Sequence, residues 1–210
     1  MKPIFLLAAL GVGIPLAASA RVAESSDPER VDVVDAIECR LDAPTYNGFA
    51  LGLNGEEKIA GKRGWVPVES KNFLMNEYEL PAPITVAGRY STRRIAFTSS
   101  GVVAILELAD PAVLARQQGI ENAVDHNPVI AAMIASGKAT HQEIEAATKS
   151  RKFLGEKILV DRTEPATAEE SFGTHTVIGL NVSNVASHPG RTLYGCSYRI
   201  EVIDKDGKPL

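Results

Sequence analysis

Two cysteines, Cys39 and Cys196, are the only ones in this 210-residue chain, and they stand near its opposite ends. A bond between them would require any fold to bring residue 39 within about 7 Å of residue 196, Cα to Cα. The flanking sequences favour such a bond. Val31, Val33, Ile37, Cys39 and Leu41 share one parity against Asp32, Glu38 and Arg40, with Asp35 the single exception; Tyr194, Cys196, Tyr198, Ile200 and Val202 alternate with Ser197, Arg199 and Glu201. Read at period two, both segments are strands and both cysteines face a core. A redox or metal-binding thiol pair is the competing reading, but no Cys-x-x-Cys occurs and a buried thiol in apolar company is a poor nucleophile. The expectation is a disulfide, Cys39 to Cys196.

A disulfide requires an oxidising compartment, and the N-terminus supplies a route to one. Met1-Lys2-Pro3 carries one positive charge, and Ile4 to Leu16 then runs without an ionisable side chain. That stretch is shorter than the roughly 20 residues of a bilayer-spanning helix and is broken by Gly11, Gly13 and Pro15. Ala18-Ser19-Ala20 offers small residues for a signal peptidase, which places cleavage before Arg21. Residues 1–20 are therefore expected to be a signal peptide, with 21–210 a single domain, periplasmic or secreted from a bacterium, and no stable membrane span after cleavage. The absence of a cysteine after the apolar run argues against a lipid anchor. A net charge of −4, with no run of one sign, argues against nucleic acid and anionic membrane surfaces as partners.

Along the chain, residues 21–30 form a polar leader and strand one follows. The stretch from Ala43 to Asn72 is interrupted by glycine, proline and asparagine, so it is expected to be a long irregular excursion with Phe49 to Leu53 its one strand. A meander then begins. Glu77 to Leu80 and Ile84 to Ala87 flank Pro81-Ala82-Pro83, which marks an edge or bend; Arg93 to Thr98 alternates, and Val102 to Leu108, apolar almost throughout, is expected to be central. Residues 109–152 form a helical insertion: Asp110-Pro111 and Asn127-Pro128 each pair an N-cap with proline, stopping at Gly119 and Gly137, and Thr140 to Glu143 is a capping box. Strands follow at Leu154 to Arg162, Thr174 to Asn184 and Leu193 to Ile203, and 204–210 is a loose tail. The fold class is α+β: an antiparallel β-sheet of about six to eight strands, with three short helices inserted between two strand clusters.

No contiguous string identifies a reaction. Gly55 to Lys62 is spaced one residue too long for a phosphate loop, and Arg63 stands where Ser or Thr would bind magnesium. His141 and Glu145 share a helix face but lack further ligands, and His126, His175 and His188 pair with no other histidine at ligand spacing. Tyr194-Gly195-Cys196-Ser197 lies mid-strand, whereas a thiol-protease cysteine opens a helix. Asn181 begins a formal glycosylation sequon inside a strand, and Glu56-Glu57 and Glu169-Glu170 read as solvated charge. No catalytic, cofactor-binding or metal-ligating set is assigned, and no cofactor is implied. The expected function is an exported, non-catalytic binding or envelope-associated module for an unknown protein or small-molecule ligand. The competing expectation is an exported hydrolase whose site is assembled from residues distant in sequence. Trp65, the only tryptophan, sits in the irregular excursion and is a candidate partner contact, weighed against a role as a plug at the sheet edge.

Overall fold

In the computed structural model of the chain, the described residues are 27–70, 72–123, 134–137, 140 and 153–210. The leader with its cleavage site before Arg21, most of the Asn127 helix, the helix opened by Thr140, and His126, His141 and Glu145 lie outside them.

Among the described residues, seven strands form one open antiparallel sheet: β1 (Val66–Val68), β2 (Asn76–Val86), β3 (Tyr90–Phe97), β4 (Gly101–Leu106), β5 (Leu154–Glu164), β6 (Gly173–Ser183) and β7 (Thr192–Ile203). Their order is β1-β2-β3-β4-β7-β6-β5. The strand clusters before and after residues 109–152 are thus halves of one sheet, joined where Val102 pairs with Cys196 and Ala104 with Tyr194. β4 is the central strand, as its continuous apolar run implies, and it is buried along nearly its whole length. The Pro81-Ala82-Pro83 stretch sits where β1 has already ended and the register with β3 shifts, between Glu79 and Ile84, so its missing N–H groups interrupt no ladder.

Two expectations at the N-terminus are corrected. Residues 31–41 are not a strand: Val33–Ile37 is a helix, α1, whose N-cap Asp32 accepts from the Val34 N–H at 2.8 Å. Val33, Ala36 and Ile37 satisfy a helical stripe as well as Val31, Val33 and Ile37 satisfy a strand, and Asp35, the parity exception, lies on the outer side, paired with Arg40 at 2.8 Å. Nor is 43–72 irregular. Ala43–Gly52 is a helix, α2, opened by Asp42, whose carboxylate accepts from Thr45 N, with Pro44 in the first turn; Ile59–Lys62 is a further helical turn, α3, and β1 follows. The helix expected from Asp110-Pro111 is present as α4 (Pro111–Gln118), capped by Asp110 and closed by Gly119 at φ +66°. The 204–210 segment folds back rather than trailing away, with Leu210 N donating to Val202 O at 3.0 Å.

Among the described residues, α1 to α4 pack on one face of the sheet. There Ile37, Phe49, Ile59, Leu114, Ile95, Leu106, Val182 and Tyr194 form the main core. The disulfide Cys39–Cys196 ties the exit of α1 to the middle of β7, with Cα atoms 5.2 Å apart. Cys39 reaches it not by strand parity but from a left-handed turn, φ 57°, that ends α1. Nearby, Tyr198 Oη donates to Ala36 O at 2.8 Å, Tyr194 Oη to Glu38 at 2.9 Å, and the rings of Tyr46 and Tyr198 stack 4.1 Å apart. The opposite face carries only a small cluster, Met75, Ala96, Ile105 and Leu193, roofed by Val185 of the β6–β7 loop. The two edges differ. β1 is three residues long and contains Pro67, whereas β5 runs for eleven residues with Leu154, Ile158, Leu159 and Val160 exposed.

Candidate functional site at Glu77

Strand alternation puts Val68, Glu77, Ala96, Val103, Gly195, Asn181 and Glu156 in one cross-strand row on the sheet face opposite α1 to α4. Most charges on this face are paired and at least partly exposed. Glu156 takes both guanidinium nitrogens of Arg199 at 2.7 and 3.1 Å and the Ser197 hydroxyl at 2.8 Å. His175 stands 2.9 Å from Asp161 and 3.8 Å from Glu201. These are the ion pairs of a solvated sheet face.

Glu77 is different. Its side chain is 1 % exposed. The β6–β7 loop, residues 184–191, crosses above it and closes the end of the sheet. Three segments converge on this one carboxylate: Arg94 of β3 donates at 2.6 Å, Ser70 of the turn before β2 hydrogen-bonds to it, and His188 of the β6–β7 loop brings Nε2 to 3.1 Å from Oε1. Burial by itself would raise the Glu77 pKa; the hydrogen bonds from Ser70 and Arg94, with the His188 ring close by, outweigh it and hold the group below its ordinary value. Glu77 is therefore an anionic hub at neutral pH, and each partner supplies part of the charge compensation that a buried carboxylate needs.

Beside the hub lies a cleft of about 620 Å³ that is walled by its partners Arg94 and His188, and by Thr92, Glu107, Ser187 and Arg191, but not by Glu77 itself. Arg191 pairs with Glu107 across its mouth, and Arg93 with Glu79 at 3.3 Å. Ser187 Oγ lies 2.9 Å from His188 Nδ1. The turn at residues 72–75 is held by Asn72 N donating to Ser70 Oγ, Leu74 N to Asn72 Oδ1 and Met75 N to Asn72 O, each at 3.0 to 3.1 Å. Met75 is tucked into the small cluster below. Phe73 and Leu74 point out of the turn, 93 % and 61 % exposed.

Of the residues singled out from sequence, Cys39 and Cys196 are brought together as a disulfide. Trp65 is 8 % exposed. Its ring lies 6.0 to 6.4 Å from those of Tyr78, Phe97 and Phe49, with the Arg63 guanidinium over it at 5.5 Å, which is the position of a plug beneath the sheet edge and not of an open contact surface. Sequence reading missed Glu77, Ser187, His188 and Phe73. Ser187-His188-Pro189-Gly190 reads as turn material, and the one available signal for Glu77 was its place on a strand row shared with apolar residues. Among the described residues no three His, Cys, Asp or Glu side chains form a group that could hold a metal ion, and no helix is long and apolar enough to cross a membrane. Comparison with protein-family models, curated proteins and solved structures gives no match.

Proposed function

We propose that this chain is an exported binding module of the bacterial envelope, acting in the periplasm or outside the cell, and that it contacts its protein or small-molecule partner through the Phe73–Leu74 turn. The observation that carries this reading is the exposure of two adjacent large apolar side chains on a turn that is internally hydrogen-bonded and anchored through Ser70 to Glu77. Leaving a Phe or Leu in water forgoes roughly 1.5 to 3 kcal/mol per side chain relative to burying it. A preordered turn spends little conformational entropy when a partner covers it. An aromatic side chain in that position is the type that dominates binding hot spots. Export is supported by the Ile4 to Leu16 apolar run, by the Ala18-Ser19-Ala20 site and by a disulfide compatible with an oxidising compartment.

Fractionation of cells that carry the gene tests both halves. The wild-type protein is expected to begin at Arg21 and to sediment in part with the envelope, and Phe73→Ser with Leu74→Ser is expected to release that part without lowering the melting temperature. A protein that keeps Met1 would refute export, and a double variant that distributes like wild type would refute the contact.

A further inference from the structure

The Phe73–Leu74 turn borders a groove of about 390 Å³, a size within the range of small-ligand sites. Beside the Phe73 ring, which is 93 % exposed, the groove presents the amides of Asn54, Asn72 and Asn76, the Ser70 hydroxyl and Tyr78. Among its described lining residues the only charged side chain is Glu77, which is 1 % exposed and held by Arg94 at 2.6 Å, so no charge is left for a ligand. Two of the amides are half engaged by the fold, and that half fixes the other. Asn54 Nδ2 donates to Tyr78 Oη at 2.7 Å, and Asn72 Oδ1 accepts from Leu74 N at 3.1 Å. Among the described residues, the Asn54 carbonyl oxygen and the Asn72 amide hydrogens have no other partner. The groove therefore offers a held acceptor and a held pair of donors next to an open aromatic face.

That combination selects a class of ligand. An ion finds no unpaired charge here, and a purely apolar ligand would strip water from the amides and give them no partner in return. An extended peptide finds no ladder to join, because β1, the edge strand beside the groove, is three residues long and contains Pro67. A pyranose ring meets both requirements. Its flat face of C–H groups packs on the negative face of an aromatic ring, and its neighbouring hydroxyls each donate and accept, as amides do. We propose that the groove binds an uncharged saccharide, stacked on Phe73 and hydrogen-bonded through adjacent hydroxyls to Asn54 and Asn72. This names the ligand class of the Phe73–Leu74 contact and rests on that reading. The glycan of the cell envelope and a free oligosaccharide offer the same chemistry.

The test applies the full exported protein to an array of immobilised uncharged and acidic oligosaccharides, then titrates the soluble forms by calorimetry at about 0.05 and 0.5 M salt. The expected result is binding to uncharged pyranose oligosaccharides that does not change with salt. Phe73→Ala is expected to weaken it by roughly tenfold or more at an unchanged melting temperature, and Phe73→Trp to retain it. Asn72→Asp keeps the oxygen that accepts from Leu74 N and removes the donor pair, and is expected to weaken binding by roughly fivefold or more. Release of the protein from envelope fractions by the same oligosaccharide identifies the envelope glycan as the source, and binding without release identifies a free sugar. The proposal is overturned by no binding to any uncharged member of the array, by binding only to acidic members that salt abolishes, or by equal binding of Phe73→Ala. If Phe73→Ser with Leu74→Ser still frees the protein from the envelope in any of those cases, the contact reading stands with a protein partner; if it does not, both readings fall.

Discussion

At the scale of single residues, the same side-chain type takes opposite roles according to what surrounds it. Trp65 and Phe73 lie only eight positions apart, yet one is packed among Phe49, Tyr78 and Phe97 and the other stands in solvent. Replacing Trp65 by Ala removes a core aromatic and is expected to cost on the order of 3 to 5 kcal/mol in urea unfolding, whereas Phe73→Ala is expected to leave the unfolding midpoint unchanged. The carboxylates divide in a similar way. Glu156 is held below its ordinary pKa by the Arg199 guanidinium first, with Ser197 and Asn181 adding to it, against a contribution from burial that acts the other way. A carboxylate with a depressed folded pKa stabilises the fold above the unfolded value, about 4.3, and the stabilisation is lost as pH falls through the folded one. The stability gap between wild type and Glu156→Gln is therefore expected to be full at pH 7 and to close progressively as pH falls below the ordinary carboxylate value, about 4.3. A gap that stays constant over that range in urea titrations would remove the ion pair from the explanation.

At the scale of elements, legibility tracked how far local chemistry alone determines the structure. α4 announced itself because Asp110, Pro111 and Gly119 are cap, first-turn proline and left-handed stop, and all three do that work in the structure. β7 was legible because its residue types alternate, Tyr194, Cys196, Tyr198 and Ile200 against Gly195, Ser197, Arg199 and Glu201, even though its first seven residues are buried on both faces. α1 and α2 were not. In α1, five residues long, Val31, Val33 and Ile37 fit a strand face as well as Val33, Ala36 and Ile37 fit a helical one, and in α2 the helical spacing of Ala43, Tyr46, Phe49 and Gly52 is masked by Pro44 and Gly48. The deciding signals were the N-cap aspartates, Asp32 and Asp42, whose side chains resolve the ambiguity only when read as caps. Asp42→Ala is expected to destabilise the protein by about 1 kcal/mol, measured as a shift in the urea midpoint, because it strips the acceptor from Thr45 N in a helix with little other reason to start there. The Glu77 site was illegible for a different reason. Its parts come from β2, β3, the turn before β2 and the β6–β7 loop, and their meeting depends on strand order, which no local pattern encodes.

At the scale of the whole molecule, the described residues form a sheet with α1 to α4 on one face and the β6–β7 loop over part of the other, and the disulfide joins the N-terminal helices to the strand that unites both halves of the sheet. With a sequence separation of 157, the bond removes close to 5 kcal/mol of unfolded-state entropy on the chain-entropy account. Cys39→Ser with Cys196→Ser is expected to lower the melting temperature by roughly 10 °C or more, and a shift below about 2 °C would mean that the α1–β7 contacts hold without it. The most direct measurement places a photo-crosslinking amino acid at position 73 in the exported protein, with position 205 as an exposed control, and irradiates intact cells. A discrete crosslinked species from position 73 and none from position 205 is the expected result. No crosslink at 73, or the same products at both positions, would contradict the binding role of the turn.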